Sequence, residues 1–354
     1  MKNIIIALIF IMLIPLTVFA YEIPEMEGED KFNETVIQVA NGEFKPDIPK
    51  IFAFLSDLIF GEIRNVASDI VVLLVIAAMS GTINALTGAF GEKGGGEAAF
   101  FACFTLMSTA ALRCFNTALG YGVNVIDTMG IFINKLSPIL MITLIASGKV
   151  TSASTFSPVF SAAVYVISII LRNCLVPLLT FGAVLSVAGN INSKMQISNF
   201  TRVIRSISKW LMAAVITVFT GISAVYGFSA PALDAVSAKA VKFAVGSMVP
   251  VVGGFLSDSL ETVISGTRLM KNAVGVSGIV IMCVICITPA VKIAVMQLML
   301  KLTAALVEPL TDKRISKMLW DISEAIITVF AMVVMTAVLF VISIAIILAA
   351  TNAG

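Results

Sequence analysis

After Glu324 the chain runs to its last residue, Gly354, without a charged side chain. A bilayer core requires roughly 20 consecutive apolar residues of a helix, and the segment 323–350 meets that requirement. Similar apolar segments lie near 66–90, 98–124, 128–148, 156–188, 209–229 and 274–300. The composition agrees: 59% of the 354 residues are hydrophobic and 12% are charged. Soluble domains are about half apolar and about a quarter charged. The expected class is all-α, a polytopic helical membrane protein with interrupted or re-entrant helices. About seven or eight spans are expected between residues 66 and 354.

Three segments precede the spans. MKNIIIALIFIMLIPLTVFA, residues 1–20, has a lysine, an apolar run and a small residue at Ala20, which reads as a signal peptide. An uncleaved first anchor is the alternative. Residues 21–50 carry Glu22, Glu25, Glu27, Glu29, Asp30, Glu34, Glu43 and Asp47 against Lys31, Lys45 and Lys50. This acidic, proline-punctuated stretch is expected to be an extracytoplasmic segment. In 51–65, Ile51, Phe52, Leu55, Leu58, Ile59 and Ile63 recur at helical spacing, with Asp57, Glu62 and Arg64 opposite. That pattern fits an interfacial amphipathic helix or a helix packed on the bundle.

Orientation follows the lysines and arginines of short loops. The loops 189–209 (Lys194, Arg202, Arg205, Lys209) and 301–322 (Lys301, Lys313, Arg314, Lys317) are both expected in the cytoplasm. With the amino terminus outside, seven simple spans place the first loop on the wrong side. Either 156–188, with Arg172-Asn173 at its middle, forms two shorter helices, or another span is misassigned. An internal echo at an offset of 112 residues aligns Pro138 with Pro250, Cys174 with Cys286 and Pro177 with Pro289. Chance matching of apolar sequences competes with a true repeat.

Arg113, Asp127, Lys135 and Arg172 fall inside apolar segments. A charge at the bilayer centre costs roughly 2.5–3.5 kcal/mol on insertion scales, so such groups face a partner or a hydrated cavity. Snorkelling from near a helix end is the alternative. The stretch FAVGSMVPVVGGFLSDSLETVISG, 243–266, is broken by Pro250, Gly253 and Gly254 and carries Asp258 and Glu261. Proline removes a helical donor, and non-helical backbone at membrane depth survives only where protein buries it or water lines it. A re-entrant turn is expected there, with paired surface helices as the alternative. Gly120, Gly122, Gly246, Gly253 and the pair Gly275 and Gly278 offer small surfaces for contact between copies.

No enzyme chemistry is expected. The chain has no histidine, GEKGGGE lacks the ending of a phosphate-binding loop, and no metal-ligand cluster or cofactor motif emerges. The net charge of +2 and the absence of a long basic run argue against a nucleic-acid partner.

The segment AVKFAVGSMVPVVGGFLSDSLETVISG, then RLMKNAVGVSG, ITPAVKI and LTAALVEPL, resembles the stage III sporulation protein AE family. The resemblance implies a multi-pass protein of the mother-cell membrane that surrounds the forespore. It implies a channel component of a secretion-like trans-envelope complex, with the AA-to-AH sporulation proteins and the forespore protein Q as partners. The AA member resembles a secretion ATPase, and AG and AH resemble ring-forming proteins. Homo-oligomerisation is expected, with the lipid bilayer as solvent. A non-conducting scaffold and a secondary transporter are the alternatives.

Overall fold

A computed structural model describes residues 48–90, 93–146, 149–191, 198–248 and 253–352. The signal peptide expected at 1–20 and most of the acidic segment lie outside the described residues. The elements are α1 (Ile48–Phe90), α2 (Lys93–Ala146), α3 (Val150–Ile169), a π-turn (Ile170–Leu175), α4 (Val176–Ile191), α5 (Ser198–Met248), α6 (Gly253–Val307) and α7 (Lys313–Asn352). No strand occurs among the described residues, so the all-α expectation holds.

Among the described residues, five stretches are long and apolar enough to cross a membrane: Phe100–Ile145, Val150–Ile191, Asn199–Val225, Val274–Val307 and Lys313–Leu348. A shorter apolar stretch, Ile70–Thr82, lies in α1. The expected spans 98–124 and 128–148 are therefore one helix, α2. Asp127, which lies between the two expected spans, is part of that helix and forms an ion pair with Arg172. The segment 156–188 does not divide into two spans. It is continuous helix, and Arg172-Asn173 occupies the π-turn. Pro177 follows that turn, and its ring would clash with the carbonyl four residues back, at Asn173. The wider turn absorbs the clash and swings Arg172, Asn173 and Cys174 to the exposed side.

Merging 98–124 with 128–148 removes one expected crossing. The last described turns of α1, α4 and α6 lie at one end of the bundle with the starts of α2, α5 and α7. The side chains of that end confirm it: Arg205 pairs with Asp321 at 3.5 Å, and Asn190 Nδ2 donates to Asp321 Oδ2 at 3.2 Å. Arg314 Nη1 donates to the Ile191 carbonyl at 3.2 Å and the guanidinium lies 3.7 Å from the Phe100 ring centroid. Both basic loops, expected in the cytoplasm, thus share one end. The chain's two tryptophans sit there too, Trp210 77% exposed and Trp320 43% exposed, with the Lys301 ammonium 4.4 Å over the Trp320 ring. Exposed tryptophans beside basic residues are the usual mark of a membrane–water interface.

The α6/α7 turn is closed by Asp312. Its Oδ1 accepts from the Arg314 backbone N–H at 2.9 Å, and Oδ2 accepts from Arg314 Nη2 at 3.0 Å. These bonds to the Arg314 side chain and backbone hold the Asp312 carboxyl below the usual range, against a smaller upward push from burial.

At the core, α6 and α7 pack most extensively on one another, and α2 lies against both. Phe104, Met107, Phe115, Met129, Ile133 and Leu140 of α2 join Met282 and Ile293 of α6 and Val329, Met332 and Phe340 of α7 in one buried cluster. Lipid is as apolar as leucine, so close packing rather than exclusion of water holds such helices together. Gly122 shows how close: a Cβ there would stand 2.7 Å from Val329 Cγ1. At Gly278 it would stand 2.6 Å from Leu136 Cδ2. Gly122, Gly275 and Gly278 are thus used inside the protomer, whereas Gly120 faces open space. The packing around Gly246 and Gly253 lies outside the described residues.

Helix α1 runs unbroken through both the amphipathic stretch 51–65 and the apolar segment that follows. Glu62, expected on its polar face, is turned inward and buried. Of the proline pair in the echo, Pro138 lies inside α2, whereas Pro250 lies outside the described residues.

Candidate functional site

The buried positions of α2 recur every three or four residues, which leaves an opposite face outward. Between Thr109 and Thr128 every fully exposed position on that face is polar or glycine: Thr109, Arg113, Asn116, Thr117, Gly120, Asn124 and Thr128. Asp127 is half-buried at its edge. Nineteen helical steps span about 28 Å. The exposed face of α5 is different: Ile216, Val218, Ile222 and Val225 make it a lipid-facing surface.

The threonines are half satisfied within the helix. Thr109 donates to the Thr105 carbonyl at 2.8 Å, Thr117 to Arg113 at 3.0 Å and Thr128 to Asn124 at 2.9 Å. Each hydroxyl thereby spends its proton and turns its lone pairs outward. Asn116 and Asn124 form no side-chain hydrogen bond among the described residues. An unsatisfied polar group in hydrocarbon costs several kcal/mol, so a face carrying Arg113, Asn116 and Asn124 without side-chain partners among the described residues disfavours lipid. Water or another protein surface covers them.

Depth can be read from the packing. Gly122 meets Val329, and α2 and α7 run in the same direction. Arg113, nine residues earlier, lies about 13 Å nearer the basic end, level with Trp320. Asp127 lies about 7 Å the other way, level with Val334, near the middle of Lys313–Leu348. Lys135 is further out, level with Ile342.

Of the charges singled out from the sequence, two meet. Arg172 Nη2 donates to Asp127 Oδ2, with the guanidinium side chain 58% exposed and the carboxylate side chain 34% exposed. The pair borders the polar face at mid-depth. Arg113 and Lys135 are exposed on the same helix but stand apart from it. Pro250 lies outside the described residues. Gly253, Gly254, Asp258 and Glu261 fall on the first turns of α6, whose side chains also lie outside them. Helix α5 continues to Met248. That end is about 57 Å along the axis from Trp210, well beyond a roughly 30 Å core. No re-entrant element occurs among the described residues.

Sequence reasoning weighed charges and passed over Thr109, Asn116, Thr117, Asn124 and Thr128. Their spacing of three and four was the signal. It also passed over Lys292, the one charge between Val274 and Leu300. The Lys292 ammonium lies 5.2 Å from the centroid of the Tyr121 ring, beside Gly120 of the polar face. Among the described residues no group of His, Cys, Asp and Glu could hold a metal ion.

The comparisons with known proteins agree with one another. The stage III sporulation protein AE of Bacillus subtilis (strain 168) is 28% identical over 322 residues, covering 90% of this chain and 80% of that protein. No solved structure matches. The profile of the family described as stage III sporulation protein AE matches residues 31–351. The chain, helical over its described residues with five helices among them able to cross a membrane, therefore belongs to the stage III sporulation protein AE family and has a role in sporulation.

Proposed function

We propose that this chain is the membrane-embedded channel component of a mother-cell to forespore trans-envelope complex, in which several copies turn their α2 faces toward a shared aqueous path. The observation that carries this reading is the run of exposed polar positions from Thr109 to Thr128, which leads from the basic end to mid-depth, where the Asp127–Arg172 pair borders it. One helix face cannot enclose water, so the path requires further copies, and Gly120 lets another backbone approach on that face. The partners of this reading are the other stage III AA-to-AH proteins and the forespore protein Q, and its location is the mother-cell membrane around the forespore. A non-conducting scaffold would instead seal the same face against protein.

Cysteine accessibility separates the two. In a full-length variant lacking the five native cysteines, Asn116→Cys and Asn124→Cys are introduced singly, with Val218→Cys on α5 as the lipid-facing control. A membrane-impermeant thiol reagent applied to membranes of sporulating cells should label both α2 positions and leave Val218→Cys unmodified. Absence of labelling at both α2 positions would overturn the channel reading in favour of a sealed interface.

A further inference from the structure

Resting on that reading, we infer that the path is cationic and favours anionic solutes, small molecules bearing carboxylate or phosphate groups. The acids of the span Lys313–Leu348, Asp321 and Glu324, are paired with Arg205 and Lys301 near the basic end, and the charges of the other long spans are mostly cationic. Between Phe100 and Ile145 the only acid is Asp127, against Arg113 and Lys135. Val150–Ile191 holds only Arg172 once Lys149 is passed, and Val274–Leu300 only Lys292. Asn199–Val225 contains no acid.

The carboxylate at the edge of the polar face is already taken. Arg172 holds Asp127, so the pair contributes almost no net field. Arg113 is exposed on the polar face and has no carboxylate partner among the described residues. Lys292 is half-buried, and its ammonium rests on the Tyr121 ring, the residue adjoining Gly120. A cation–π contact steadies an ammonium by about 0.5–2 kcal/mol without cancelling its charge. Arg113 therefore sits at the basic mouth, and Lys292 backs the face nearer mid-depth.

Symmetry multiplies this. Each copy adds its own Arg113 and Lys292 to the same wall, and low-dielectric walls focus the resulting potential. Rings of arginine and lysine are how pores attract anions. The π-turn belongs to the same device. It places Arg172 where it neutralises the carboxylate at the edge of the polar face.

The test uses the single-cysteine chains Asn116→Cys and Asn124→Cys. Each is reacted with a sulfonate-bearing and a quaternary-ammonium-bearing methanethiosulfonate, and rates are normalised to a free thiol in solution. The anionic reagent is expected to gain on the order of tenfold, a gain that shrinks as salt is raised. Lys292→Gln and Arg113→Gln should each lower the ratio several-fold while the protein remains in the membrane. Equal rates, or a faster cationic reagent, would overturn the inference and leave the channel reading standing. Silence toward both reagents would overturn the channel reading itself.

Discussion

Arg172→Glu is expected to lower the yield of mature spores roughly tenfold or more, and Asp127→Arg added to it is expected to restore most of the loss. The single variant places two carboxylates side by side near the middle of the membrane, with no cation between them. Breaking a fully buried pair costs about 3–5 kcal/mol. The Arg172 side chain is 58% exposed and that of Asp127 34%, so the penalty here is smaller, about 1–3 kcal/mol. It falls at the point where α2 and the π-turn are tied together. The reversed pair restores one positive and one negative group, so the local net charge is unchanged. Spore counts after engulfment, with immunoblots of the membrane fraction, measure both. A single variant with full yield at normal protein level would mean that the pair has no role in function.

Asn116→Leu combined with Asn124→Leu is expected to abolish spore formation while the protein accumulates at its normal level. Leucine is more favourable than asparagine at membrane depth, so insertion should not suffer. The interior face of α2, with Phe115 and Met129 in the core, is untouched. What changes is the wetting of the face. A path lined by leucine at two successive levels becomes a hydrophobic constriction, and such constrictions close by dewetting. Normal sporulation by this variant would show that the polar positions are not part of a conducting path.

Much of the architecture is legible in the sequence. Apolar segments of helical length, the two basic loops and the charges within the spans are all local signals, and the structure brings both loops to one end. The number of spans is not local. Asp127 falls between two expected spans of what is one helix, and its partner lies 45 residues away on the π-turn. Likewise Arg172-Asn173 reads as a turn between helices, because a six-residue π-turn ahead of Pro177 leaves no mark that distinguishes it from a loop.

The candidate site was half visible. Charges draw attention in an apolar chain, but the face is made mainly of threonine, asparagine and glycine, which mean hydropathy averages away. Their three-and-four spacing from Thr109 to Thr128 is present in the sequence; only the structure shows that they are exposed, with no helix among the described residues covering them. The glycines carry the converse lesson. Gly120 and Gly122 are two residues apart, yet one faces Val329 and the other faces outward. That choice depends on where α7 lies, which is information held at another place in the chain.

The most direct measurement is the mass of the full-length protein in a nanodisc by native mass spectrometry. The account predicts one species containing several copies of the chain, closed around their α2 faces. A stable monomer under the same conditions would contradict it, since a lone protomer leaves the Thr109–Thr128 face with no second wall to enclose water.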